Sequence, residues 1–440
     1  MLKLLQYLKN SHFVRNMSVV MSGTAVAQVI GFMLTPIISR LFSPSDFGVF
    51  GSFYSVLTVI AAGVTLQYSQ AIMLPKQDED AANVFAVSML SVFVITLVGL
   101  LSAYVFSDWL LGLLKAPDSK WLLWFLPLGV FVFGINQSFQ AWCIRRKAFK
   151  KTASSQMIRA GAVGTLQIVS GLFRHGGGGL IASSVAADGM ASLNLARQVF
   201  CTDKVLLKSS LAWKRIGRLA VEYRDFPVYS ATQNMMNTLS NALPVLLLGY
   251  YYGVAVAGAY AFGIRLLQAP MGFVLVALRQ VLFQKASETY NRGGKLYPLY
   301  IKTTGGLFAM AIIPAIILSI WAPSIFALIF GSKWYEAGVY ARWLILWLMV
   351  LFCNLPSTLF AAILRQQRNL FFYEFVILFS RTSALVAGGL LLSAKGTVIL
   401  FSVVGCLLNV FYILWIGCLV KKNTQALVPA NEQAVFKVGV

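Results

Sequence analysis

The chain has 440 residues, 58% of them hydrophobic and 11% charged, with 36 Lys and Arg against 14 Asp and Glu for a net charge of +22. So few charges exclude a soluble globular protein, in which about 25% of residues are charged. The absence of short alternating strands excludes a transmembrane barrel. With no soluble domain to present it, the basic excess points to membrane topology, and no nucleic-acid partner is expected.

Residues 1–16, "MLKLLQYLKNSHFVRN", read as a short basic amphipathic lead-in on the cytoplasmic surface. The A-x-A pattern in "TAVAQ" resembles a signal-peptidase site. The apolar run continues past it to Ile38, so a retained first helix is expected. Twelve apolar spans follow one another near 17–39, 47–73, 83–106, 121–143, 153–173, 178–200, 227–250, 256–282, 300–322, 337–363, 370–393 and 396–420. Each approaches the roughly 20 residues that cross a bilayer core as helix. The expected fold is therefore an all-α polytopic membrane protein.

Loop charge sets the orientation. With the N-terminus inside, the cytoplasmic segments hold "IRRKAFKK", "DKVLLKSSLAWKRIGRLAVEYRD", "KASETYNRGGK", "RQQR" and "KKN". That side then carries about 24 Lys and Arg against about 6 on the other, a strong positive-inside bias. "PKQDED" is an acidic exception on the cytoplasmic side. An even number of spans returns the C-terminus inside.

The longest loop follows span six and divides the chain. The expected organisation is an N-terminal six-helix bundle (1–200), a cytoplasmic linker (201–225), a C-terminal six-helix bundle (226–420) and a cytoplasmic tail (421–440). Six spans per half give both halves the same orientation, the pattern of a parallel repeat that can enclose a central cavity.

The five cysteines are dispersed and His12 and His175 stand alone, so no histidine metal site and no cofactor is expected. "HGGGGL" at 175–180 lacks the Lys-Ser/Thr of a phosphate loop and reads as a tight turn.

Basic residues within or at the ends of spans are Arg159, Arg197, Arg265, Arg279, Lys302, Arg342 and Arg381. Arg197, Arg279 and Lys302 lie near cytoplasmic ends and can snorkel to headgroups. Arg159, Arg265 and Arg381 lie deeper, where a charge facing lipid costs at least about 2.5–3.5 kcal/mol. They are expected to face water or a partner. Arg159 and Arg381 fall in spans five and eleven, the same ordinal place in each half. The intramembrane acids are Asp188 in span six and Glu374 in span eleven. They are candidates for ion coupling, and Asp188 is equally a structural partner for Arg159 or Arg197. The cationic excess suits a phosphorylated substrate, because guanidinium forks match phosphate oxygens. No nucleophile–base pair or paired carboxylates appear, so no enzyme is expected.

Three stretches carry a family resemblance: "ISRLFSPSDFGVFGSFYS" (38–55), the segment 223–288 that contains "YRDFPVYSATQNMMNTLSNALP" and "FGIRLLQAPMGF", and "IFGSKWYEAGVYARWL" (329–344). They resemble bacterial polysaccharide-export flippases of the Wzx type, in the multidrug/oligosaccharidyl-lipid/polysaccharide superfamily. The resemblance implies two six-helix bundles around a cavity, worked by alternating access in the bacterial inner membrane. It implies as substrate an undecaprenyl-pyrophosphate-linked oligosaccharide for O-antigen (lipopolysaccharide), capsule or exopolysaccharide synthesis. A polysaccharide polymerase and a chain-length regulator are implied partners. "IRLLQAP" is similar to a motif of peptidoglycan-precursor flippases whose arginine lines the cavity, which implies that role for Arg265. The first-span arginines of that branch are absent from "AVAQVIGFMLTPII".

The substrate-binding candidates are therefore Arg159, Arg265, Arg381, Arg342, Gln156 and Asn234. The alternative function is a cation-coupled exporter of drugs or small molecules in the same superfamily. An acidic cavity would suit its cationic cargo.

Overall fold

The stretch "SPSD" starts a helix by the rules of capping. Ser43 is the N-cap and Pro44 the first helical residue. The Ser43 N–H donates to Asp46 Oδ2 at 2.8 Å and the Asp46 N–H donates to Ser43 Oγ at 3.2 Å, a reciprocal box that satisfies otherwise orphaned donors. The computed structural model describes residues 28–107, 112, 122–291, 294–364 and 366–436. The basic lead-in and the start of the first span lie outside the described residues.

Among the described residues the helices are α1 (Gln28–Leu41), α2 (Pro44–Gly63), α3 (Tyr68–Ala71), α4 (Asp78–Val105), α5 (Leu122–Arg145), α6 (Phe149–Leu172), α7 (Gly176–Ser209) and α8 (Trp213–Glu222). After a π-turn at Phe226–Ala231 come α9 (Thr232–Tyr252), α10 (Val254–Asn291) and α11 (Leu296–Phe330). Last are α12 (Tyr335–Cys353), α13 (Leu355–Ile363), α14 (Gln367–Leu391) and α15 (Ala394–Phe436). The chain is an all-helical, multi-pass membrane protein, and a described helix coincides with each of the twelve expected spans. Seven stretches are long and apolar enough to cross a bilayer by length and composition alone. The polar content of α6, α7 and α9 keeps them off that count: these helices carry Gln, Asn, Ser, Thr, Arg and Asp where the others carry Leu, Val and Phe.

Two compact units form, Met1–Ala261 and Phe262–Val440. The boundary falls within α10, so α9 packs with the first unit. The Met235 side chain of α9 lies against Gly63 of α2, its sulfur 2.6 Å from where a Cβ would stand. The stretch 201–225 is largely helical, holding the end of α7 and all of α8.

The "HGGGG" run differs from a simple turn. Only Gly176 has the left-handed backbone (φ +59°). Gly176 and the glycines after it open α7, and a Cβ on Gly177 would lie 2.9 Å from the Asp46 carbonyl. Close packing, as well as turning, requires these glycines.

The acidic "PKQDED" also acquires a reason. Arg145 Nη1 donates to the carbonyls of Ile72 and Pro75, both at 2.9 Å, and Nη2 donates to Asp78 at 3.0 Å. Arg146 pairs with the same Asp78, and Arg218 of α8 lies 3.8 Å from Asp80. The acids thus tie down the basic loop after α5 and the helix α8.

Asn83 clamps the turn between α7 and α8. Its Nδ2 donates to the Ser210 carbonyl at 2.8 Å, and the Ala212 N–H donates to its Oδ1 at 3.1 Å. Asn83→Ala is expected to cost about 1–3 kcal/mol by stranding buried backbone groups. Hydrogen exchange over 210–222 should quicken in the variant; unchanged exchange there would show that the clamp holds nothing.

Candidate functional site

Polar residues converge within the first unit. On α5, Asn136, Gln137 and Gln140 follow an i, i+1, i+4 spacing that puts them on one flank of the helix. On α6, Ser155, Gln156 and Arg159 do the same, and α7 contributes Asp188 and Ala191. With Phe133 these residues line a cavity of about 380 Å³, within the usual 300–1,000 Å³ range of ligand pockets.

Small residues let the three helices meet. Ser155 Oγ donates to the Ala191 carbonyl at 2.8 Å, and Ser192 Oγ donates to the Asp188 carbonyl at 2.7 Å. Asn136 Nδ2 donates to Ser192 Oγ at 3.1 Å, while its Oδ1 accepts a hydrogen bond from Gln140 Nε2. Gln167, deeper on α6, donates to Ser184 Oγ at 3.2 Å and is therefore a helix–helix contact.

The central charge is paired. Arg159 Nε donates to Asp188 Oδ1 in an ion pair, and Nη2 donates to the Tyr54 hydroxyl at 3.2 Å. The Asp188 side chain is 13% exposed and that of Arg159 is 43% exposed, so the guanidinium borders the cavity while the carboxylate lies behind it. The pocket is polar yet close to neutral. Gln156 makes no hydrogen bond among the described residues, so both ends of its carboxamide remain for a ligand.

Beside this pocket, span two is broken. α2 ends at Gly63, and Leu66 (φ 47°) and Gln67 (φ 57°) adopt the left-handed conformation before α3. The break leaves the Ala62 carbonyl to two carboxamides: Gln67 Nε2 at 2.9 Å and Asn234 Nδ2 of α9 at 3.0 Å. Thr65 Oγ1 also donates to Gln137 Oε1 at 3.4 Å, which connects the break to the pocket wall. Irregular backbone at membrane depth requires such internal partners.

The other sequence candidates lie elsewhere. Arg265 is an exposed residue on α10. Arg342 donates from Nη2 to the Ile320 carbonyl at 2.7 Å, one turn before Pro323. Gly338 makes that contact possible: a Cβ there would lie 2.5 Å from Pro323 Cα. The guanidinium is thus held to the backbone of α11 beside its proline.

Arg381 is 7% exposed, and its guanidinium lies 4.3 Å from the ring centroids of both Trp347 and Phe401, a cation–π arrangement in the second unit. Glu374, half-buried on α14, forms no ion pair or hydrogen bond among the described residues. Arg159, Asp188 and Gln156 are brought together, and Asn234 reaches the neighbouring break. Arg381 has aromatic surroundings unlike those of Arg159. Asn136, Gln137 and Gln140 were missed by a search centred on charge, although three carboxamides on one otherwise apolar helix are a legible signal.

A family model described as "Polysaccharide biosynthesis protein" matches residues 37–338. The succinoglycan biosynthesis transport protein ExoT of Rhizobium meliloti (strain 1021) is 24% identical over 377 residues, covering 82% of this chain and 71% of ExoT. Among solved structures, the lipid II flippase MurJ in an inward closed conformation superposes with a TM-score of 0.75 at 12% identity, over 93% of this chain and 89% of MurJ. An inward-facing multidrug-resistance MATE transporter of the MOP superfamily gives a TM-score of 0.74 at 13% identity, over 90% and 96% of the two chains. At these identities the two structures establish the fold alone.

Proposed function

The chain belongs to the polysaccharide biosynthesis protein family, and from that membership we propose that it is a flippase for a lipid-linked oligosaccharide. The substrate in this reading is a repeat unit on undecaprenyl pyrophosphate. It moves from the cytoplasmic to the outer leaflet of the bacterial inner membrane by alternating access. A polymerase and a chain-length regulator would act on the product. The homologues support a transporter rather than an enzyme.

The observation that carries the reading is the neutral, carboxamide-lined pocket of the first unit. Sugar hydroxyls both donate and accept, and so do Asn and Gln side chains. Moving such a headgroup through lipid unaided strands its hydrogen bonds, and moving its phosphates strands charge. A polar cavity at membrane depth replaces water for the sugar. Because Arg159 is committed to Asp188, the pocket receives the uncharged sugar. The phosphates then fall to a different cation, and the likeness of "IRLLQAP" to a motif of the peptidoglycan-precursor flippases puts Arg265 forward. For Arg381 or Arg342 to touch substrate, each would first have to leave its aromatic or carbonyl partners. Asn234 acts in this proposal through the span-two break. Glu374 is the better coupling candidate: Asp188 is ion-paired with Arg159, whereas Arg381 reaches Glu374 only through its field, with no ion pair among the described residues.

Deletion of the gene in its host should abolish the surface polysaccharide and leave repeat units on the inner leaflet. Normal polymer with altered drug tolerance would overturn the flippase in favour of the cation-coupled exporter. Within the flippase, Gln156→Ala should lower export severalfold at unchanged protein level, on the order of one lost hydrogen bond of about 0.5–1.5 kcal/mol. Export equal to wild type would remove Gln156 from the site.

A further inference from the structure

Helix α8, "WKRIGRLAVE", is strongly amphipathic, and its inner face is accounted for by the fold. Leu219 is buried in a cluster with Ala81, Ala82, Val84 and Phe85 of α4, and Ile216 and Ala220 pack against that cluster. The Asn83 clamp holds its N-terminal end, and the Tyr68 hydroxyl donates to the Ala220 carbonyl at 2.8 Å. These contacts fix its depth. Asn83 and Val84 stand where α4 enters its apolar run, so α8 lies level with the membrane boundary. The preceding α7 has 34 residues. At 1.5 Å per residue that is about 51 Å, well beyond an apolar core of roughly 30 Å. The chain therefore leaves the core and folds back onto its edge.

On the outer face Arg218 is held by Asp80, and among the described residues no hydrogen bond or ion pair is made by Trp213, Lys214, Arg215 or Val221. Trp213 is 79% and Val221 63% exposed, and Leu211 before the helix is also exposed. Trp213, Gly217 and Val221 form one i, i+4 row, and Lys214 and Arg218 form the next. Lys214, Arg215 and Arg218 are exposed, as are Lys204, Val205 and Lys208 at the end of α7. The acids on this surface are Glu222 and Asp80, the latter near Arg218. Asp203 is occupied by Arg146 and by the Trp142 indole N–H. The surface is thus a basic band beside an apolar one, and further along α4 Leu90, Phe93 and Val94 are exposed.

We propose that α8 and the end of α7 form a docking surface for anionic phospholipid headgroups of the cytoplasmic leaflet, with Trp213, Leu211 and Val221 seated in the interfacial layer and Lys204, Lys208, Lys214 and Arg215 on the lipid phosphates. A helix facing only water gains nothing from an outward tryptophan. At headgroup depth an indole has both an apolar bed and a polar rim. The basic row draws on the negative potential of that leaflet, which falls off within a Debye length. The occupant is the bilayer itself, so the surface is independent of the transported substrate.

The test is hydrogen exchange of the full chain in nanodiscs of phosphatidylcholine alone and of phosphatidylcholine mixed with phosphatidylglycerol. Exchange over 211–222 should slow roughly tenfold with the anionic lipid and lose most of that protection at high salt, as a few cationic contacts require. Exchange in the core of α4 should not change. In a Lys214→Gln/Arg215→Gln variant, the response to phosphatidylglycerol should fall severalfold. Identical exchange of the wild-type segment in both lipids would overturn the proposal without bearing on transport, and so would protection that salt leaves intact.

Discussion

Arg159→Gln is expected to damage the protein more than Asp188→Asn, and the double variant is expected to recover most of what either loses. The asymmetry follows from exposure. The Asp188 carboxylate is 13% exposed and the Arg159 side chain 43%. Removing Arg159 leaves an ionised carboxylate at membrane depth without its counter-ion, a loss of about 3–5 kcal/mol for a buried pair broken on one side. Removing Asp188 leaves a guanidinium that can turn into the pocket, take up water and keep Tyr54. With both residues neutral, the pocket keeps its shape and its carboxamides, and no stranded charge remains. Protein level in the membrane and thermal unfolding in detergent report the first effect, and exported polysaccharide reports the second. A double variant that is stable yet as inactive as Arg159→Gln would show that the guanidinium itself meets the substrate phosphates. The neutral-pocket reading would then be wrong.

The second large effect is expected at Gly258. A Cβ there would lie 1.8 Å from the Pro44 carbonyl oxygen and 2.5 Å from the Gly48 N–H nitrogen, and a Cβ on Gly48 would lie 1.8 Å from the Val254 carbonyl oxygen. The atoms in the way are backbone, so no rotamer change relieves the clash. The starts of α2 and α10 must separate. Overpacking typically costs about 1–3 kcal/mol and more where the backbone has to move, so Gly258→Val should lie at or above the top of that range. Gly305→Ala provides the control. No atom lies within 4 Å of its Cβ position, and replacing Gly by Ala in a helix gains up to about 1 kcal/mol. Thermal unfolding of the two variants should move in opposite directions, or move only for Gly258. Equal destabilisation would mean that the close crossing of α2 and α10 is not what holds the first unit together.

Both effects rest on tertiary contacts between helices far apart in the chain. Charge and hydropathy gave the class and the spans, because a bilayer requires every backbone polar group to be satisfied within the segment and leaves little but helix. The "SPSD" cap is a local signal, its partners three residues apart, yet span two was expected only from residue 47 where the helix begins at Pro44. Arg159, Gln156 and Asp188 were recognisable as candidates because charge and carboxamides stand out against apolar helices. Their grouping was not. Symmetry of position suggested that Arg159 and Arg381 share one role, yet each residue's surroundings come from different helices. Arg159 meets Asp188 across 29 positions of sequence and Tyr54 across 105, while Arg381 meets Trp347 and Phe401.

Composition and hydropathy were enough for a multi-pass helical membrane protein, its approximate spans and a short list of charges within them. Which charge is cancelled, which carboxamide is left for a ligand, where α2 breaks and on which surface α8 rests depend on how the helices pack. The reason is range. Hydropathy and capping act within one helix and leave a local pattern. The partner of a buried charge is set by the approach of helices far apart in sequence, and no local pattern encodes it.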